Sequence, residues 1–232
     1  EVSANTFGHL IEASAAIRSR VEGAGGQVRY TAYGYHGTEI LIEGAYTWQT
    51  YTNYTQGFAK MRLERIAQAA WTKGVKATVY NCPEIRTNSS DIFAGVELPL
   101  VPLLKALHKE GGGAWAQAQW RASSSLLADG ISMDDLMGKV DAFHASEVMR
   151  PFRNFDAWPM SNAPAQAELT IRTSDEVQKM HKDPKALITD LLSALVIEAT
   201  GPLMLGESAA PAGPVLWLNH DIIARQLNRL HA

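Results

Sequence analysis

From about residue 75 to the C-terminus, short strand-like runs alternate with longer helix-like runs, and this alternation restricts the fold more than any other feature. Strands that take turns with helices favour a layered α/β architecture with some parallel pairing. The strand-like runs are 75–80, 114–121, 167–172 and 215–218. Between them, 98–109 reads as a helix closed by Gly111-Gly112-Gly113, and Ser132 with Asp135 reads as a capping box. Thr173 and Glu176 suggest a second box. Asp183 and Pro184 suggest the start of a helix over 184–199, which carries Leu187, Ile188, Leu191, Leu192, Leu195 and Val196. That helix is apolar over most of its girth and is expected in the core, with Leu191 and Leu195 buried. A last helix is expected over 221–230.

The first 74 residues read differently. Phe7, Leu10, Ile11, Ile17 and Val21 recur at helical spacing over 5–22. Six tyrosines follow within 27–54, interleaved with threonines and Trp48 and interrupted by Gly34, Gly37 and Gly44. Such residues fit a pleated surface, so an antiparallel meander is expected there, followed by a helix over 56–73. The expectation is one α/β (mixed) domain, 1–232, with 1–74 as an appended helix–meander–helix layer.

Composition narrows the function classes. Hydrophobic residues make up 46% and charged residues 19%, and the low charged share leaves neutral surface available for partners. A net charge of -3 argues against a whole-chain grip on nucleic acid but leaves room for a local basic patch. A single cysteine, Cys82, precludes an internal disulfide. No apolar run reaches the ~20 residues of a membrane span, so no membrane contact is expected. The chain starts at Glu1 without an initiator Met, so something upstream is expected to have been removed or left out. A cytoplasmic location is expected.

The usual catalytic and cofactor signatures are missing: no G-x-S-x-G, no Walker A loop, no H-E-x-x-H, no G-x-G-x-x-G between a strand and a helix. No cofactor is therefore expected. No metal is expected either, because His9/Glu12, His36/Glu39 and His144/Glu147 are only pairs and a metal site needs three or four ligands.

Two function classes remain. The first is a non-catalytic subunit of a larger assembly, either a homo-oligomer or one with partner subunits, with nucleic acid as an alternative partner. Its contact surface would be Tyr33, Tyr35, Trp48 and Tyr51 with the basic helix residues Lys60, Arg62 and Arg65. The second is a small hydrolase or transferase. Ligands of open α/β sheets sit beyond the carboxyl ends of the strands. If strands 75–80 and 215–218 are parallel neighbours, Cys82, Glu84, His220 and Asp221 share that edge, and an imidazole there could activate the thiol. Whether the chain is an enzyme is left open by the sequence.

Overall fold

The computed structural model describes residues 2–34, 37–49, 55–87, 94–154 and 163–232. Its chain begins with α1 (Val2–Ala13) and α2 (Ala15–Gly23). They part at Ser14, whose hydroxyl donates to the Leu10 carbonyl at 2.6 Å and meets the Tyr30 hydroxyl at 2.6 Å. A serine bonded back to the preceding turn competes with the helix ladder, so the stretch read as one helix is two.

A three-stranded parallel sheet follows, in the order β1 (Arg29–Gly34), β4 (Lys76–Asn81), β5 (Val215–Trp217). The α/β class is thus observed, and the strands at 75–80 and 215–218 are parallel neighbours. The crossover from β1 to β4 runs through α3 (Thr55–Trp71). Ala77 and Val79 of β4 point to one face, where α1 and α3 bury Phe7, Ile11, Leu63 and Ala67 against them. Thr78 and Tyr80 point to the other face. There Thr78 donates to the Gly213 carbonyl at 2.8 Å and Tyr80 to the Met204 carbonyl at 3.2 Å.

The tyrosine-rich stretch is not a meander. β1 joins the parallel sheet, and only β2 (Thr38–Ile42) and β3 (Ala45–Gln49) form an antiparallel hairpin. Tyrosine and threonine favour a pleated surface but do not choose the partner strand. The hairpin turns on Glu43 and Gly44, both with positive φ, the geometry of a two-residue turn that matches strand twist. Gly37 brings the chain in from β1. A Cβ there would lie 2.6 Å from the Trp48 ring and 2.7 Å from the Gln49 carbonyl, so only glycine lets the strands approach this closely. Across the sheet edge, Glu39 N–H donates to Asn219 Oδ1 at 2.9 Å and Asn219 Nδ2 donates to Glu39 Oε2 at 3.0 Å.

From residue 82 onward helices dominate, and two expected strands are absent. They are α4 (Glu97–Leu100), α5 (Leu103–Lys109), α6 (Ala114–Ser124), α7 (Met133–Ala145), α8 (Pro164–Gln178), α9 (Ile188–Ala209) and α10 (His220–Leu230). The run 114–121 is α6 because Ala, Gln and Arg are strong helix formers, and its two-residue alternation is incidental. The run 167–172 lies inside α8, which Pro164 opens near its first position. Thr173 is then mid-helix, donating to the Leu169 carbonyl at 2.8 Å rather than capping. The Ser132–Asp135 capping box is formed as expected.

α9 starts at Ile188, where the Asp190 carboxylate accepts from Leu187 N–H at 3.2 Å, and continues through Pro202 to Ala209. At 22 residues it is long and apolar enough to cross a membrane by those measures alone, but Ile188, Leu192, Val196 and Ala199 pack into the core. Leu195 is buried as expected, whereas Leu191 is half-exposed and Leu192 is fully enclosed. Leu192→Ala is expected to cost about 2–5 kcal/mol in urea unfolding. Leu191→Ala should cost clearly less, and equal losses would contradict the α9 register.

Candidate active site

The C-terminal edge of the sheet gathers the polar residues. Gly34 and Asn81 end β1 and β4 opposite one another, and Cys82 N–H donates to the Gly34 carbonyl at 3.1 Å. The Asn81 side chain donates to the Gly37 carbonyl and ties the hairpin to the edge.

Lys60 enters this edge from the first turns of α3. Its ammonium donates to the Tyr33 carbonyl at 3.1 Å, and burial lowers its pKa below the ordinary lysine range. The sequence placed Lys60, Arg62 and Arg65 on one basic helix as a single contact surface, and the structure puts them on two faces of it. Two residues of α-helix rotate a side chain by about 200°. Lys60 therefore turns toward the sheet edge, while Arg62 and Arg65 face solvent. The signal was available, since Lys60 shares its face with Leu63, Glu64 and Ala67, all buried.

Tyr33 beside it is 62% exposed, its ring 6.1 Å from that of Tyr80 and tilted 55° to it. Burial foremost raises the Tyr80 phenol's pKa, and the phenol meets Ser208 Oγ. Of the expected contact residues Tyr33 is exposed at this edge, while Tyr80 behind it is buried. Tyr35 and Tyr51 lie outside the described residues. Trp48 is half-buried and packs against the chain's own core.

Cys82, Glu84, His220 and Asp221 share the edge in sequence but do not form a nucleophile and base. The Cys82 thiol donates to its own neighbour's carbonyl, Tyr80 O, at 3.8 Å, and burial pushes its pKa up to about 12. A thiol so desolvated is a weak source of thiolate. His220 is fully buried, and neither ring nitrogen has a hydrogen-bond partner. Asp221 is ion-paired with Arg225 at 2.5 Å. Burial, with the nearby Glu97 carboxylate adding to it, pushes Glu84 up to about 7. Glu97 itself is buried and raised for the same first reason, beside Ser174, His181 and Arg86. Glu97 was missed at the sequence level, although an acid inside the apolar run Val96-Glu97-Leu98-Pro99-Leu100 is a readable sign of a buried carboxyl. Among the described residues no cluster of three or more His, Cys, Asp or Glu could hold a metal ion.

Residues 1–227 match the sequence profile of the family described as "Enoyl-acyl carrier protein reductase FabMG". The chain belongs to the FabMG family. It is also similar to a solved structure described as the apo structure of FabMG, a novel type of enoyl-acyl carrier protein reductase. That likeness is 68% identity with a TM-score of 0.92, covering 99% of this chain and 52% of the other. A second solved structure, described as NADH-bound FabMG, is 62% identical with a TM-score of 0.81, covering 99% of this chain and 55% of the other. The chain therefore spans about half the length of the solved chains it matches. No curated protein matches it.

Membership in an enzyme family corrects both function classes drawn from the sequence. FabMG relatives are reductases, so the reading as a non-catalytic assembly subunit falls, and so does the alternative of a hydrolase or transferase. Most of the missing signatures misled because they mark hydrolases, phosphoryl-transfer enzymes or metalloenzymes, and the dinucleotide fingerprint G-x-G-x-x-G is simply absent from these 232 residues. A reductase that adds hydrogen across a double bond needs no nucleophile of its own, so nothing in its sequence has to resemble a catalytic serine or cysteine.

Proposed function

We propose that the protein takes part in reducing the carbon–carbon double bond of an enoyl thioester carried on an acyl carrier protein. The observation that carries this reading is the FabMG match over residues 1–227. The geometry of the sheet edge is in keeping with it. As the double bond of an enoyl thioester is saturated, negative charge develops on the thioester carbonyl oxygen. A desolvated ammonium such as Lys60 stabilises that charge far better than it would in water. Tyr33, exposed beside this edge, gives an acyl chain an aromatic ring to lie against.

NADH is bound by one solved relative and comes to this protein only within the proposal. The turn after β5 does not fit its phosphates. The strand-to-helix turn Leu218-Asn219-His220 has no glycine to let backbone approach a pyrophosphate, and the Glu39 carboxylate already lies on Asn219. What these residues supply is the substrate end of the site: Lys60 for charge, Asn81 and Asn219 for holding the hairpin over the edge. A cytoplasmic location belongs to the same proposal.

The test is an assay of the full-length protein with trans-2-butenoyl thioester on acyl carrier protein and NADH. Loss of reduced-nicotinamide absorbance that requires the enoyl thioester is the expected result. Absence of turnover with a folded protein would overturn the reading.

A further inference from the structure

The solvent face of α3 carries an unneutralised cluster of positive charge. Arg62 and Arg65 on α3, and Lys73 in the turn just past its end, are all exposed. Among the described residues none of the three forms an ion pair. Several cations of other helices are matched, Lys105 to Asp141 at 2.5 Å, Lys139 to Glu176 at 2.6 Å and Arg225 to Glu110 at 3.0 Å, while the unmatched ones, such as Arg121 and Arg172, lie on separate helices rather than beside one groove. The net charge of the chain is -3, so this face is a local reversal of sign.

Beside these cations runs a groove of about 610 Å³ between α1–α2 and α3. Its lining combines small and apolar residues, Gly8, Ile11, Ile66 and Ala70, with three cations, Arg18, Arg62 and Lys73, against a single acid, Glu12. An apolar floor with a cationic rim suits a helix that presents acids around one or two apolar side chains.

Resting on the proposed reductase function, we propose that the outer face of α3, with this groove, docks the acidic surface of the carrier protein that presents the enoyl thioester. A second copy of this chain is a poor occupant, because a two-fold contact through this face would set cation against cation. Three exposed cations also supply too few phosphate contacts for a firm grip on nucleic acid. Position favours the carrier, since Arg62 is two residues from Lys60 and the docked partner lies along the helix that leads into the sheet edge. The tethered thioester then has a short path around α3 to the site.

The decisive variant is Arg62→Glu with Arg65→Glu and Lys73→Glu in the full-length protein. All three side chains face solvent, so the fold should survive, and an unchanged thermal melt checks this. With trans-2-butenoyl thioester on acyl carrier protein, KM should rise by roughly tenfold or more, the scale of several lost charge contacts. With the uncharged N-acetylcysteamine thioester, kcat and KM should stay within about twofold, since the sheet edge is untouched. An unchanged KM for the carrier-bound substrate would overturn the docking surface while leaving the reductase reading intact. If the wild type reduces neither thioester, the reductase reading fails, and calorimetric titration with the loaded carrier still reads the docking. Binding that weakens in the variant supports it, and no binding to the wild type overturns it. Self-association of the wild type abolished by the three reversals would also overturn it, by giving the face to a second copy.

Discussion

Lys60→Met is expected to lower kcat/KM for an enoyl thioester by about 10²–10³-fold, the usual cost of removing one group that meets developing negative charge in a site shielded from water. The methionine keeps the length and apolar stem of lysine, so the buried part of the side chain stays packed. What disappears is the charge and the hydrogen bond to the Tyr33 carbonyl. Loss of that bond alone costs about 1 kcal/mol of stability, too little to unfold a chain of this size. The pH profile separates an electrostatic role from a structural one. Burial holds the Lys60 pKa below the ordinary lysine value, so wild-type activity should fall on the alkaline side earlier than a solvated lysine would dictate. Lys60→Arg keeps the charge at all accessible pH and should push that alkaline limb upward, even if kcat drops because the planar guanidinium sits differently. A Lys60→Met protein with half or more of the wild-type kcat/KM would remove Lys60 from the site.

The fold was legible where local pattern and long-range pairing agree. β4 and β5 were readable as strands because apolar runs of that length, flanked by turn residues, have few alternatives; the intervening helices favoured parallel pairing in general, but that these two strands are neighbours was left open and is given by the structure. The runs at 114–121 and 167–172 were misread for one reason. Both alternate apolar and polar residues over six to eight positions, yet the first is rich in Ala and Gln and the second carries Ala, Glu, Leu and Arg, helix formers whose preference outweighs so short an alternation. The hairpin turn at Glu43-Gly44 was readable, but the departure of β1 into another sheet was not. A strand's partner lies as far away as Lys76, and nothing within the tyrosine stretch records that distance.

The site was legible in parts only. The topological argument put Cys82, Glu84, His220 and Asp221 near one edge, which is where the chain places them. Proximity in the backbone still says nothing about where a side chain points. His220 turns inward and Asp221 outward to Arg225, so the pair separates across a single residue. Lys60 was named, but as part of a partner contact with Arg62 and Arg65 rather than at the sheet edge. The reaction class was not legible at all, because no residue pattern in these 232 residues belongs to one reaction alone.

The second large effect concerns acid and a pair of buried imidazoles. His220 sits at the start of α10, fully buried, with no partner on either ring nitrogen, and burial pushes its pKa down to about 3, with His144 adding to the shift. His144, on α7, accepts or donates only at Nε2, to the Leu98 carbonyl at 3.0 Å, and burial pushes it down to about 4. Arg153 lowers the His144 pKa further, whereas Asp141 raises it. In the unfolded chain each imidazole titrates near 6.5. Between 6.5 and the folded values the unfolded state holds more protons, so these two groups withdraw stability as pH falls. Glu84 and Glu97 act in the opposite sense. Their folded pKa values are raised, so the folded state binds their protons first and gains relative stability as pH falls from about 7 toward 4.5. The two trends offset one another above pH 4.5; below it the imidazole loss continues, joined by protonation of Glu110, Asp135 and Glu176, whose folded pKa values are lowered by their hydrogen-bond and charge partners. His220→Leu removes one imidazole and fills its place with an apolar side chain of similar size. A partnerless polar ring contributes no hydrogen bond, so at pH 7 the variant should be close to wild type or slightly more stable. At pH 4 it should be more stable than wild type by about 3 kcal/mol, from 2.5 pKa units at about 1.36 kcal/mol each between pH 6.5 and 4. Urea unfolding of the two proteins at both pH values measures it. A variant destabilised by the same amount at pH 7 and pH 4 would mean that the His220 ring is held by polar contacts in the native protein, and the acid sensitivity would then have another source.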